Sequence, residues 1–337
     1  MPPGQPRGEP TPIAAWPLAL SSDAPDARRR DWHAPFPLNL ELTLSVHRRG
    51  PRDPTLRVDD RGAIWRTSLT PDGPGTLRLT VTKRAADPSA PPAGVLVSAS
   101  AWGGGASWLL ATLPDLLGGS DDPAAFQPSH PRLRDLLVQL SGLRISRTAR
   151  VLEALVPAVL EQKVVGVEAH RAWRRLVAWY GSAAPGPAPA GMRVVPAAAT
   201  WQAIPSWDWH RAGVEAVRAR TIANAATVAD RLEAICGLAA ADADRMLRSL
   251  PGIGPWTSAE VRQRACGDAD AVSIGDYHIP ALVGWNLAGR ITDDAGMLEL
   301  LAPYASQRYR VTRLIELGGY GPPRRGPRMS VRDYRSL

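Results

Sequence analysis

Cysteine is nearly absent. Cys236 and Cys266 are the only two in 337 residues, so the chain supports neither a multi-disulfide framework nor a four-thiolate zinc or iron-sulfur site. Both are expected to be small core residues. Lysine is also scarce. Of 40 basic residues only Lys83 and Lys163 are lysine, so the formal charge of +8 is carried by arginine, which suits bidentate contact with an anion such as phosphate. Arginine bias also follows genome composition, so charge alone does not single out nucleic acid. No apolar run approaches the roughly 18–20 residues that span a bilayer, and the Pro-rich start has no apolar signal core. No membrane partner is expected, and the default address is cytoplasmic. The six histidines lack i,i+4 spacing and acidic partners, so no metal ligand set is expected. Phosphate-loop and Rossmann glycine patterns are missing, as is any internal repeat.

With 45% hydrophobic residues, the length suggests about two domains. Residues 1–35, rich in Pro and charge and ending near Arg28, Arg29 and Arg30, are predicted to be a disordered tail. From Leu38 the residues alternate: Leu38, Leu40, Leu42, Leu44 and Val46 share one face, as do Leu77, Leu79 and Val81, and Val95, Val97, Ala99 and Ala101. Residues 36–125 therefore read as a unit built on a small antiparallel sheet. Gly103, Gly104 and Gly105 mark a turn into the first helix.

Beyond that point the period becomes helical. Leu133, Leu136, Leu137 and Leu140 follow Pro131 as a stripe; Leu152, Leu155, Val156 and Val159 form a second, and Trp173, Leu176, Val177 and Tyr180 a third, closed by Gly181. Residues 183–190, with three prolines, read as a surface loop. Further helices are predicted near 210–235, 242–249, 256–265, 278–288 and 295–317. The fold class is α+β: an N-terminal antiparallel sheet, then an all-helical unit over 126–320, then a basic tail over 321–337.

The most informative string is Leu250, Pro251, Gly252, Ile253, Gly254, Pro255, Trp256 and Thr257, set between two amphipathic helices. Two glycines allow a tight reversal and close approach to bare backbone, and the following helix opens with unbonded N–H groups suited to a phosphate. A plain helical hairpin is the competing reading. About twenty residues further on, Asp276 opens another predicted helix. As an N-cap it would stay ionised, and an ionised carboxylate can also stabilise positive charge developing on a sugar, so the two roles are compatible.

Hairpin and acid together resemble the helix-hairpin-helix (HhH-GPD) DNA glycosylase superfamily, most of all the 3-methyladenine DNA glycosylase II family. The resemblance takes in the sheet unit, the run Leu160, Glu161, Gln162, Lys163 and Val164, the hairpin and the acid, roughly residues 36–320. It implies a monofunctional glycosylase that hydrolyses the N-glycosidic bond of damaged, alkylated purines in double-stranded DNA. Asp276 would be its catalytic carboxylate. It further implies work as a monomer in the cytoplasm at the nucleoid, with no cofactor beyond a monovalent cation on the hairpin carbonyls. Members that also cut the backbone carry a Schiff-base lysine where this chain has Trp256. Trp256 and Tyr277 match aromatic pocket positions, with core packing as the competing role. Glu260 replaces a pocket aromatic and either faces the base, favouring a cationic alkylpurine, or points to solvent. Lys163 stands where the family places an apolar wedge, and either wedges or binds phosphate; Gln162 is the alternative wedge. For Trp207 and Trp209 packing or capping is expected, and for His278 a structural or pocket-rim position. The rival readings are a non-catalytic binder of damaged DNA, a glycosylase for hypoxanthine, uracil or an oxidised purine, and an unrelated helical interaction protein.

Overall fold

The computed structural model describes residues 27–82 and 94–323. Most of both predicted tails, residues 1–26 and 324–337, lies outside them. The sheet starts earlier than expected: β1 (Arg28–His33) pairs antiparallel with a later strand, which corrects the reading of 1–35 as tail throughout. The predicted strand from Leu38 is instead a short helix, α1 (Leu40–Leu44). Asn39 caps it, accepting Leu42 N at 3.1 Å, and Leu40, Thr43 and Leu44 are buried at i, i+3, i+4 spacing. The leucine alternation that suggested a strand therefore coincided with a helical stripe.

β2 (Leu56–Val58), β3 (Ile64–Thr70), β4 (Gly73–Thr82) and β5 (Leu96–Trp102) complete a five-stranded antiparallel sheet in the order β1-β5-β4-β3-β2. Leu77 and Leu79 of β4 and Val97, Ala99 and Ala101 of β5 face α2 (Ala106–Ala111) and α3 (Leu113–Leu116), with Leu109 and Leu113 between the layers. On the opposite face Trp65 and Trp102 stack at 5.7 Å. β3 escaped the sequence reading because it is buried on both faces. One carboxylate meets Arg66, Ser68 and the Leu69 amide across the interface: Arg66 Nη2 (2.9 Å), Ser68 Oγ (2.7 Å) and Leu69 N (2.7 Å) all donate to Glu153.

Glu153 belongs to α5 (Val151–Leu160), which follows α4 (Pro131–Gln139); every other residue of α5 except Glu153 is buried. α6 (Gly166–Tyr180) ends at Gly181, and a two-stranded ladder, β6 (Ser182–Ala183) with β7 (Arg193–Val194), brackets the proline loop. Then come α7 (Ala198–Ala203), α8 (Ser206–Ala212), α9 (Ala216–Thr227) and α10 (Ala229–Glu233). The continuous helix predicted over 210–235 is thus broken, first where Gly213 leaves the helix at φ +91° and again at Val228. α11 (Ala240–Arg248), α12 (Pro255–Val261), α13 (Ile279–Ala288), α14 (Asp294–Leu301) and α15 (Arg308–Gly318) finish the bundle. Trp173, Trp201 and Trp209 stack in series within the core of α5–α12, whereas Trp207 is 71% exposed, so only Trp209 of the pair packs in the core. Leu133 and Leu136 of α4 join Val283, Met297 and Leu314 in a second helical core.

Cys236 and Cys266 are joined in a disulfide, not merely packed as separate core residues. They follow α10 and α12 respectively, so the bond closes a loop that contains α11, the hairpin and α12. No helix among the described residues is long and apolar enough to cross a membrane.

Candidate active site

The hairpin forms because α11 runs out at Ser249 and the chain reverses within a few residues. Leu250 N donates to Leu247 O and Ile253 N to Leu250 O, both at 3.1 Å. Gly252 sits at φ +87°, and a Cβ there would lie 2.2 Å from Thr221 Oγ1 of α9, so conformation and space both require glycine. Gly254 is extended and caps α12. Ile253 and Thr257 are buried and Leu250 half-buried, which anchors the hairpin, while Pro251 and Gly252 form its exposed tip.

Gln162, directly after α5, braces this turn. Its Nε2 donates to Gly252 O at 2.9 Å and to Thr257 Oγ1 at 2.8 Å. Its amide is therefore engaged with the hairpin, where it also occupies one of the carbonyls a cation would use. Lys163 beside it is exposed and holds φ +54°, a left-handed conformation that costs an L-residue about 1–2 kcal/mol. The segment is anchored from behind by Glu161, which accepts Arg49 Nη1 at 2.9 Å. Burial pushes the Glu161 carboxyl up, but Arg49, a hydrogen bond from His170 and Arg264 outweigh it and hold it at about 2.

Asp276 lies just ahead of α13 and is half-buried. Its Oδ1 accepts His278 N at 2.7 Å and Ile279 N at 2.9 Å, the capping arrangement expected at a helix start. Its Oδ2 accepts Trp256 Nε1 at 2.9 Å. The structure thereby brings together two residues twenty positions apart in sequence, one on the first turn after the hairpin and the other on the loop before α13. Three donors hold the carboxylate, and an ionised carboxylate has room for about one more. Trp256 is half-buried; Tyr277 is 85% exposed, with its ring edge-on to the exposed His278 at 4.9 Å.

Glu260 takes neither predicted orientation. It is 7% exposed and faces inward, with Oε2 2.7 Å from Arg264 Nη1 and Oε1 accepting Ser273 Oγ at 2.7 Å. Burial by itself lowers the Arg264 pKa, but Glu260, Tyr309, Glu161 and Glu316 together outweigh it and leave the guanidinium above its ordinary value. Arg264 and Ser273 were missed in sequence; the i,i+4 Glu-to-Arg spacing was the available signal for Arg264. Nothing in the sequence pointed to Ser273.

A cavity of about 40 Å³ between sheet and helices is lined by His47, Arg49, Arg66, Glu153 and Arg264, among others. It holds water at most and does not adjoin the acid. Burial, reinforced by Arg66, Arg264, Arg49 and Arg313, keeps the His47 imidazole well below its usual range. Its Nε2 donates to Ser146 Oγ at 2.8 Å, since that hydroxyl is itself given to Leu116 O. Among the described residues no cluster of three or more His, Cys, Asp or Glu is placed to hold a metal ion.

No protein-family model matches the chain. Over 150 residues, 43% of its length, it is 35% identical to the probable bifunctional transcriptional activator/DNA repair enzyme AlkA of Mycobacterium tuberculosis; the match spans 29% of that protein. Among solved structures it is similar to a 3-methyladenine DNA glycosylase from Archaeoglobus fulgidus. The TM-score is 0.70 at 17% identity, over 86% of this chain and 97% of that one. It is also similar to the 8-oxoguanine glycosylase/lyase of Clostridium acetobutylicum in complex with double-stranded DNA, with TM-score 0.64 at 10% identity, over 85% and 96% of the two chains. At these identities the structural likeness is one of fold.

Proposed function

From the premise that the chain has the fold of the helix-hairpin-helix DNA glycosylases, with an antiparallel sheet ahead of the helical bundle, we propose that it is a monofunctional DNA glycosylase acting on alkylated purines. Trp256 Nε1 bonded to Asp276 Oδ2 at 2.9 Å carries this reading: it ties the hairpin to the acid and sets an aromatic ring, with no amine, against the carboxylate.

The exposed tip at Pro251 and Gly252 offers backbone to a DNA phosphate, and Lys163, strained and exposed beside it, reaches the duplex. A damaged nucleotide leaves the stack at a cost of a few kcal/mol. Its electron-poor base is received on the faces of Trp256 and Tyr277, which attract a cationic ring. Because Glu260 is turned inward, preference for such a ring rests on these aromatics and on Asp276. As the glycosidic bond lengthens, positive charge grows on the sugar, and a carboxylate already fixed by three donors stabilises it without reorganising. Water then adds at C1′, and with no Schiff-base lysine the product is an intact abasic strand. The enzyme works alone and needs no cofactor for this chemistry.

A panel of single-lesion duplexes, incubated with borohydride, tests the proposal. Expected are abasic sites in duplexes with 3- or 7-alkylated purines and no trapped protein–DNA adduct. A trapped adduct would contradict the monofunctional assignment. Excision confined to 8-oxoguanine, hypoxanthine or uracil would overturn the substrate class, and binding without excision of any lesion would leave a damage-binding protein.

A further inference from the structure

Asp276 lies on a loop, and the loop itself has to be held in place. Two groups on α12 do so. Trp256 bonds the carboxylate directly. Glu260, one helical turn further along the same face, bonds Ser273, whose carbonyl oxygen in turn accepts Asp276 N at 3.3 Å. We propose that Glu260 and Ser273 are positioning residues for Asp276: a buried polar strut that sets the catalytic loop against the helix leading out of the hairpin. The proposal rests on the glycosylase reading and deepens it.

Glu260 and Ser273 are 7% and 1% exposed, so neither touches DNA. A buried carboxylate is costly unless paired, and an apolar residue would fill the same space at lower cost. Here the charge is matched by Arg264 at 2.7 Å, and the remaining oxygen receives the serine hydroxyl, a bond both stronger and more directional than one between neutral groups. Gln263 adds a second tie, its Nε2 donating to Ser273 Oγ at 2.9 Å and to Ala271 O at 2.8 Å. On the far side of the loop, Gly275 N is held by Asp294 at 3.0 Å. The backbone before Asp276 is thus fixed from the α12 side by side chains that meet no substrate. Displacing a reacting group by about 1 Å can cost on the order of a hundredfold in rate, which gives such a strut its leverage.

Ser273→Ala removes the hydroxyl and leaves the Glu260–Arg264 pair intact. Its single-turnover excision rate should fall roughly ten- to a hundredfold, while affinity for a duplex with a tetrahydrofuran abasic analogue stays within about twofold. Ser273→Thr, which restores the hydroxyl, should recover most of the rate. Hydrogen exchange gives a readout independent of activity: the His278 and Ile279 amides, bonded to Asp276, should lose about tenfold or more of their protection in the alanine variant. Should Ser273→Ala not fold, Glu260→Gln is read in the same two assays, since it keeps an acceptor for Ser273 but removes the charge. Unchanged excision with unchanged exchange overturns the strut. Loss of amide protection in a protein that excises nothing from any duplex keeps the strut and removes the glycosylase reading instead.

Discussion

Replacing Asp276 by Asn exposes both roles of this side chain at once. In the native site Oδ1 accepts the His278 and Ile279 amides at the start of α13 and Oδ2 accepts Trp256 Nε1. An asparagine that keeps its carbonyl on the amides retains the cap, since Asn is as good an N-cap as Asp. Its NH2 group then falls where Oδ2 was, so two donors face each other across a gap of about 2.9 Å. A hydrogen bond to a charged group contributes about 1.5–3 kcal/mol, and for this half-buried pair the lower end applies, so the variant should lose about 2 kcal/mol. Turning the amide over does not help, because it surrenders two bonds to save one. Trp256→Phe should cost a similar amount on its own, but in the double variant no indole N–H confronts the asparagine. The two losses should therefore fall short of additivity by about 1–2 kcal/mol. Urea denaturation of the four proteins measures this. Single-turnover excision should drop by at least ~10² to 10³-fold in both proteins carrying the Asp276→Asn change, whatever their stability, because the carboxylate charge is gone. Losses that add within about 0.5 kcal/mol would refute the indole–carboxylate bond. A folded Asp276→Asn protein that excises at near the parental rate would refute the catalytic assignment.

Reducing the Cys236–Cys266 bond frees a loop spanning 30 residues, and the chain-entropy relation puts the loss between about 3 and 4 kcal/mol. A dithiol should lower the denaturation midpoint accordingly, and an unchanged midpoint would show that the loop is held by packing alone. Gly252→Ala has to place a methyl against Thr221 and keep φ at +87°, so affinity for undamaged duplex should fall at least about tenfold, together with about 1–3 kcal/mol of stability. Equal affinity in a titration would remove the hairpin from the DNA interface. Glu161 holds its proton only below about 2, against about 4.5 in the unfolded chain, so its contribution is complete above 4.5 and fades as the pH falls toward 2. His47 acts in the same direction at higher pH, since the folded chain keeps it neutral while the unfolded chain takes up a proton below about 6.5. Stability-against-pH curves of the parent and Glu161→Gln should therefore converge as the pH drops from 4.5 to 2; parallel curves would sink the assignment.

What could be read from sequence was whatever depends on local periodicity and backbone chemistry. The stripes of α4 and α6, the alternation of β5, the reversal at Gly252 and the cap at Asp276 are all properties of short segments. What escaped depends on partners far away in the chain. β1 carries three arginines and shows no apolar face, and only its ladder with β5 reveals it as a strand. β3 gave no alternating apolar face to read, since both its faces are buried, and its arginine and serine are satisfied by a residue more than eighty positions later. Glu260 was set by resemblance at a pocket position, facing either the base or solvent, yet the inward pull of Arg264 and Ser273 decides where it points. Gln162 was weighed as a wedge by its neighbourhood in sequence, and only the folded hairpin shows that its amide is taken up by Gly252 and Thr257. Two cysteines 30 positions apart gave no signal that they would meet.

The convergence of Arg66, Ser68 and the Leu69 amide on Glu153 bears on how the chain can be cut and recombined. A boundary drawn after the sheet looks like a natural place to trim the protein to a minimal helical unit, or to graft that unit onto another scaffold. Trimming there would strand an anionic side chain in the first turn of α5 with its donors gone, and Glu161 would lose Arg49 in the same stroke. The amputated bundle would have to hydrate groups now shielded by the sheet, beginning in the helix that leads into Gln162 and the hairpin brace. For anyone engineering this protein, the sheet is a foundation poured together with the bundle, and the unit that can be moved from one scaffold to another is the pair.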